Sequence, residues 1–189
     1  KPNTLQDVEN IRKMANIQNS SETGATVASV APKVSHGPTI IGVKNITEHA
    51  GSTTFIYLLK KELTFAFGHE NVLAIEIDKN DFQLFRDKNM LSIHSADVKK
   101  VLEEHSSTNI ILVDLNTTND DSFCTDTLYL LEPSTIKLNR LVNRNKFVFS
   151  KLMDKKVILN QSLLLNNDVY DFEKEAGIKV FYNLPPLDE

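Results

Sequence analysis

Residues 42–55 read GVKNITEHAGSTTF. They follow Thr39, Ile40 and Ile41 and run into IYLLKKEL. The pattern predicts a buried strand, a glycine-bearing loop and a helix that opens on Thr53 and Thr54. Such a loop gathers backbone amides and a helix N-terminus toward one point, which favours a phosphate. A nucleoside triphosphate needs more: a lysine to reach the β- and γ-phosphates, and a Ser or Thr hydroxyl to hold magnesium. Gly51 allows the tight turn, and Thr53 or Thr54 supplies the hydroxyl. The residue before Thr53 is Ser52, not lysine, and Lys44 lies upstream at an unusual spacing. The same residues also suit an ordinary small-residue turn with Thr53 as N-cap. The stretch therefore decides strand, turn and helix, and leaves the ligand to the rest of the chain.

Downstream, strands and helices alternate. The helix 53–67 turns Phe55, Leu58, Leu59, Glu62, Leu63 and Ala66 around one face. VLAIEID (72–78) reads as a second strand, DFQLFRD as a short helix or turn, and MLSIH (90–94) as a small strand. Ser95 is placed to cap a helix with Val98, Val101 and Leu102 on one face. NIILVDL (109–115) is the most strand-like run, and TDTLYLLEP (125–133) is another. Ser134 then caps a long helix, STIKLNRLVNRNKFVFSKLMD, whose Lys137, Arg140, Arg144, Lys146 and Lys151 read as a solvated face. KVILNQ is a strand, NNDVYDFEKEAG a helix with Gly177 as C-cap, and KVFYNLPP a last strand. The alternation predicts an α/β fold: a mainly parallel sheet with helices on both faces and right-handed crossovers. Ligands of such sheets sit at the carboxyl ends of the strands, near the switch in strand order.

Upstream, residues 1–37 form a different segment. Leu5, Val8, Ile11, Met14 and Ile17 recur at spacing three, as in a narrow amphipathic helix, and NSSETGATVASVAPKVSHGP reads as a linker. The domain proper is expected at 38–189. The 189 residues contain 41% hydrophobic residues, enough for a sizeable core, and carry a net charge of −4, which gives no basic field for nucleic acid. The single cysteine, Cys124, excludes an internal disulfide and fits a reducing compartment; it lacks the partner signature of a catalytic thiol. No apolar run approaches the roughly 18 residues of a membrane span, and no charged-then-apolar leader opens the chain. Membrane contact is not evident. The chain opens on Lys1 rather than Met, which admits further chain outside it. A cytoplasmic setting is expected, alone or within a larger or membrane-associated protein.

Several residues stand where a nucleotide site would use them. Asp114 ends the apolar strand IILVD, where phosphate-loop proteins hold magnesium through water. Asp78 ends the second strand and is placed to orient a water or ligand. Asn160 ends VILN, where an amide side chain reads a base edge.

With these residues in order, the chain from about 38 to 189 resembles the MinD/ParA family of P-loop ATPases with the deviant Walker A motif, including its CpaE/TadZ-like members. GVKNITEHAGSTTFIYLLKKEL sits where that family has a lysine, a glycine-rich turn, a second lysine and Thr-Thr. VLAIEID and NIILVDL match its second and Walker B strands, TDTLYLLEPSTIKLNRL its "E/T-P" strand and long helix, VILNQ the strand whose Asn contacts adenine, and IKVFYNLPPLDE its ending, at Pro185 and Asp188. The resemblance implies a nucleotide-binding set of Lys44, Gly51, Ser52, Thr53, Thr54, Asn160 and Pro185, with magnesium on Thr53 and Asp114, and Asp78 and Asp114 as the catalytic carboxylates of an active member.

The departures fall on the loop. Ser52 replaces the phosphate-loop lysine, the upstream lysine falls at Thr47 by direct count or at Lys44 with extra residues between, and Glu48 and His49 replace the glycine pair. Glu48 brings the wrong sign toward a triphosphate, and His49 is mostly neutral at pH 7. The expectation is a degenerate, non-hydrolysing member with no required cofactor. It would act as a scaffold in a larger bacterial machine (pilus, secretion or conjugation) through protein partners, with a homodimer across the nucleotide face as one arrangement. The alternative is an active ATPase binding ATP and magnesium through Lys44 or a partner's lysine. A nucleotide-free α/β binding module is a third reading.

Overall fold

The computed structural model describes residues 37–116, 118 and 120–186. The amphipathic segment and linker expected over 1–37 lie outside them, save Gly37, as does Asp188. The seven strands are β1 (Thr39–Asn45), β2 (Val72–Ile77), β3 (Met90–Ile93), β4 (Ile110–Asp114), β5 (Asp126–Leu131), β6 (Lys156–Leu159) and β7 (Val180–Asn183). They form one sheet in the order β3-β2-β4-β1-β5-β6-β7, and every pairing is parallel. The helices are α1 (Ser52–Phe67), α2 (Val98–Glu104), α3 (Thr135–Arg144), α4 (Val148–Lys151) and α5 (Asn166–Ala176).

The central strands are near-continuous apolar runs because both their faces are covered. All of β2 and β4 is buried. On one face Val43, Val72, Ala74, Leu112, Leu128 and Leu130 pack under α1 through Ile56 and Leu63. On the other, Leu73, Ile75, Ile111 and Val113 pack under α2 through Val98, while Leu131, Val157 and Leu159 pack under α3, α4 and α5. Each fully buried Val, Leu or Ile contributes about 1.5–3 kcal/mol by leaving water. The connections leave β1 toward β2 and leave β4 toward β5, so the switch in direction falls at the carboxyl ends of β1 and β4.

Three local expectations are corrected. The buried stripe of α1 is Ser52, Ile56, Lys60 and Leu63, while Glu62 and Ala66 are exposed. Lys60 can occupy that stripe because its stem packs with the core while its amine meets Asp87 at 2.7 Å. Ser95 opens a 3-10 turn (Ser95–Asp97) rather than capping α2. The long helix after Ser134 is two: Ser134 does cap α3, accepting from the Lys137 amide. The chain then leaves helical geometry at Asn145 (φ −147°), whose carboxamide oxygen accepts from the Phe147 amide. A side-chain acceptor that competes for nearby amides breaks the helix there.

Candidate functional site

The loop 46–51 leaves β1 and is held by the protein on several sides. The buried Thr47 hydroxyl accepts from the Glu132 amide at 2.8 Å, and the Ile46 amide donates to Leu130 O at 2.8 Å. The Asn160 carboxamide donates to Ala50 O at 2.7 Å. Glu48 pairs with Arg144 of α3, which holds the Glu48 carboxyl below the usual carboxylate range. Gly51 then turns the chain into α1 with φ +88°, a left-handed conformation that glycine adopts without strain. A Cβ there would also stand 2.9 Å from Asn160 Nδ2. The expected cap at Thr53 is corrected: Gly51 is the N-cap and Ser52 the first helical residue, because the turn needs positive φ and not a side-chain acceptor.

Register brings Asp114 to this loop. Val43 pairs with Asp114 across β1 and β4, so the carboxylate emerges beside the end of β1 on the α1 face. It is fully buried and fully engaged. Its Oδ2 accepts from Ser52 Oγ at 2.9 Å and from Lys79 Nζ at 3.0 Å, with Thr53 Oγ1 at 3.3 Å, and its Oδ1 accepts from the Asn116 amide at 3.0 Å. Lys79 Nζ also donates to Thr53 Oγ1 at 2.7 Å and lies 3.0 Å from Asp81 Oδ2. Burial works against the Lys79 charge, but Asp114 and Asp81 outweigh it and hold the ammonium above the usual lysine value. Ser52 Oγ in turn accepts from Asn45 Nδ2 at 2.9 Å, and the buried Asn45 Oδ1 finds no partner among the described residues.

The structure thus joins Ser52, Thr53 and Asp114, with Gly51 at the turn, and separates the rest of the expected set. Lys44 pairs in register with Tyr129, on the opposite face of the sheet from Asp114, because side chains alternate along β1. It cannot stand in for the loop lysine by a short swing. Thr54 is exposed on the first turn of α1. Asn160 lies at the loop, where one N–H of its carboxamide donates to Ala50 O. Pro185 is exposed, next to Leu184, which bridges the ends of β6 and β7 through Leu159 and Ser162. Asp78, expected to orient a water, takes φ +54° and accepts from the Ser95 amide at 3.0 Å, a contact that lowers its pKa. The Glu48 charge, expected to face a triphosphate, is turned to Arg144 instead. Cys124 packs against Gly42, and burial pushes its thiol up to about 12, so it is no thiolate at neutral pH.

In this arrangement the groups expected to hold magnesium and the phosphates are engaged by the protein itself. The loop has Ser52 in place of the lysine, and the two groups expected to hold magnesium are bridged by an ammonium. Among the described residues, no group of at least three His, Cys, Asp or Glu is placed to hold a metal. A cleft of about 420 Å³ between Met153, Tyr170, Lys174 and Ile178 lies at the opposite, N-terminal ends of β6 and β7. Sequence reasoning missed Lys79, Asp81 and Asn45. The only signal was the polar run DKND directly after the second strand, at the end of the sheet where ligands gather.

Among solved structures, a ParA family ATPase from Chlorobium tepidum TLS matches with a TM-score of 0.50 at 15% identity, over 79% of this chain and 84% of that chain. A thymidylate kinase from Ehrlichia chaffeensis matches with a TM-score of 0.43 at 14% identity, over 72% and 95%. The first likeness agrees with the all-parallel sheet and its helices: the chain has a P-loop NTPase fold. No family model matches the chain, and no curated protein matches it. Among the described residues no helix is long and apolar enough to cross a membrane.

Proposed function

We propose that residues 38–189 are a MinD/ParA-like domain of the degenerate, CpaE/TadZ-like kind. In this reading it neither hydrolyses nor requires ATP, and serves as a scaffold that localises or assembles a larger bacterial machine such as a pilus, secretion or conjugation apparatus. One observation carries the reading: the Lys79 ammonium lies between Thr53 Oγ1 and Asp114 Oδ2, at 2.7 and 3.0 Å, where an active member would hold magnesium. A loop so occupied keeps its shape without nucleotide. Partners of such a scaffold are proteins, including a second copy across the loop face, and its setting is cytoplasmic.

The opposing reading, an active switch, draws on Thr53 and Asp114 lying 3.3 Å apart. A thermal-shift titration with ATP and ADP, with and without magnesium, separates the two. Binding to the native state raises the melting temperature by mass action. The scaffold reading expects no shift at millimolar nucleotide. A magnesium-dependent rise, with slow hydrolysis lost in Asp114→Ala, would replace it with the switch.

A further inference from the structure

We infer that Lys79 is a built-in replacement for a divalent cation: its ammonium sits among the Thr53, Asp114 and Asp81 oxygens, offsets one of the two carboxylate charges, and makes the site independent of metal. The inference rests on reading this loop as a phosphate-loop relic, not on the scaffold role.

The geometry is that of a filled site. An ammonium has three protons and no acceptor. The Lys79 ammonium meets Thr53 Oγ1 at 2.7 Å, Asp114 Oδ2 at 3.0 Å and Asp81 Oδ2 at 3.0 Å. Its side chain is mostly sheltered, and Asp114 is fully so. The atoms it meets are hard oxygens, two carboxylates and the Thr53 hydroxyl, with the Ser52 hydroxyl bonded to Asp114 beside them, the donor type that magnesium and manganese prefer. What selects the ammonium is the tether. Lys79 follows β2, which neighbours β4, so its amine is delivered to Asp114 by the fold and is never diluted. A hydrated ion must displace it and shed water at the same time. Removing the amine leaves Asp114 and Asp81 uncompensated around the two hydroxyls, a set open to a divalent ion.

The experiment uses the full chain and its Lys79→Ala variant. Manganese binding is followed by electron paramagnetic resonance of the free ion, and melting is recorded with EDTA, with magnesium and with manganese. The wild type should bind no manganese at millimolar concentration and should melt at one temperature in all three. Lys79→Ala should melt lower in EDTA and gain affinity for manganese by about tenfold or more. Its melting temperature should rise by about 4 °C when the ion is present at ~10 times its Kd. Adding Asp114→Asn should remove that gain. Manganese broadening the Ser52 and Asn116 amide resonances of the wild type would overturn the inference, as would a Lys79→Ala protein with no gain. If Lys79→Ala does not fold in EDTA, refolding in manganese but not in sodium chloride supports the inference. If it folds in neither, Lys79→Gln is measured, and absence of a gain there overturns it. A nucleotide-induced shift in the wild type without magnesium would sink the scaffold reading and leave this inference standing. A strictly magnesium-dependent shift would sink both.

Discussion

Gly51 and Asp114 each carry a demand that one substitution exposes. At Gly51 the backbone is left-handed and the space for a Cβ is taken by Asn160 Nδ2. Gly51→Ala is therefore expected to destabilise the domain by about 1–3 kcal/mol, read as a lower urea midpoint at unchanged slope. A neutral result would mean that the loop relaxes freely. Asp114 is the shared acceptor of Ser52, Lys79 and Asn116. Asp114→Ala strands the Lys79 ammonium and is expected to destabilise by about 3–5 kcal/mol in denaturant titrations, the range for breaking one partner of a sheltered pair. A loss below about 1 kcal/mol would show that Asp81 alone satisfies Lys79. Asn45 adds a third demand: Ser52 gives its proton to Asp114, so Asn45 can only donate to it, and the buried carboxamide oxygen finds no partner among the described residues. The domain retains it at the end of β1.

At the scale of elements, α1 is joined to the segment before β3 by Lys60 and Asp87, whose carboxylate also faces the His69 ring at 3.3 Å. Burial raises the Asp87 pKa, but the Lys60 amine and the Asn89 amide outweigh it and leave the group below its usual value. A carboxylate with a depressed folded pKa adds stability above its unfolded value, about 3.9, and that stability is lost as pH falls through the folded value. The stability profile of Asp87→Asn should accordingly be flatter than wild type on the acid side, below about pH 4 and toward the folded value. Equal slopes would show that the pair is immaterial to acid unfolding. Lys60 also shows where reading the sequence fell short. The strands were legible, because β-branched runs such as TIIGVK and IILVDL have no other stable use in a core. The face of α1 was misjudged, because a lysine reads as solvated until its partner, far away in the chain, is in place. The same holds at the site: Asp114 and Thr53 were legible from strand and helix ends. Lys79 was not, since its role depends on β2 lying beside β4, which local pattern does not encode. The break at Asn145 was missed because apolar residues continue on both sides of it.

At the scale of the whole molecule, the α/β class and the parallel sheet were readable from alternation, but the strand order was not. Order is set by which crossovers bury which faces, and those contacts are non-local. The arrangement places β1 between β4 and β5, so the first strand of the sheet pairs only with strands that start some 65 or more residues after it, at Ile110 and Asp126 against its end at Asn45. This has a consequence for how the domain comes into being. During synthesis β1 and α1 emerge before β4, yet among the described strands none made before β4 pairs with β1. Until then Ile40, Ile41 and Val43 must wait as unpaired edge, the state most open to association with other chains. Closing so distant a pairing is also slow. Any fragment that stops between β3 and β4 should collect as aggregate or be degraded rather than persist as a partial domain, and a nascent chain of that length should be among the strongest clients of ribosome-associated chaperones.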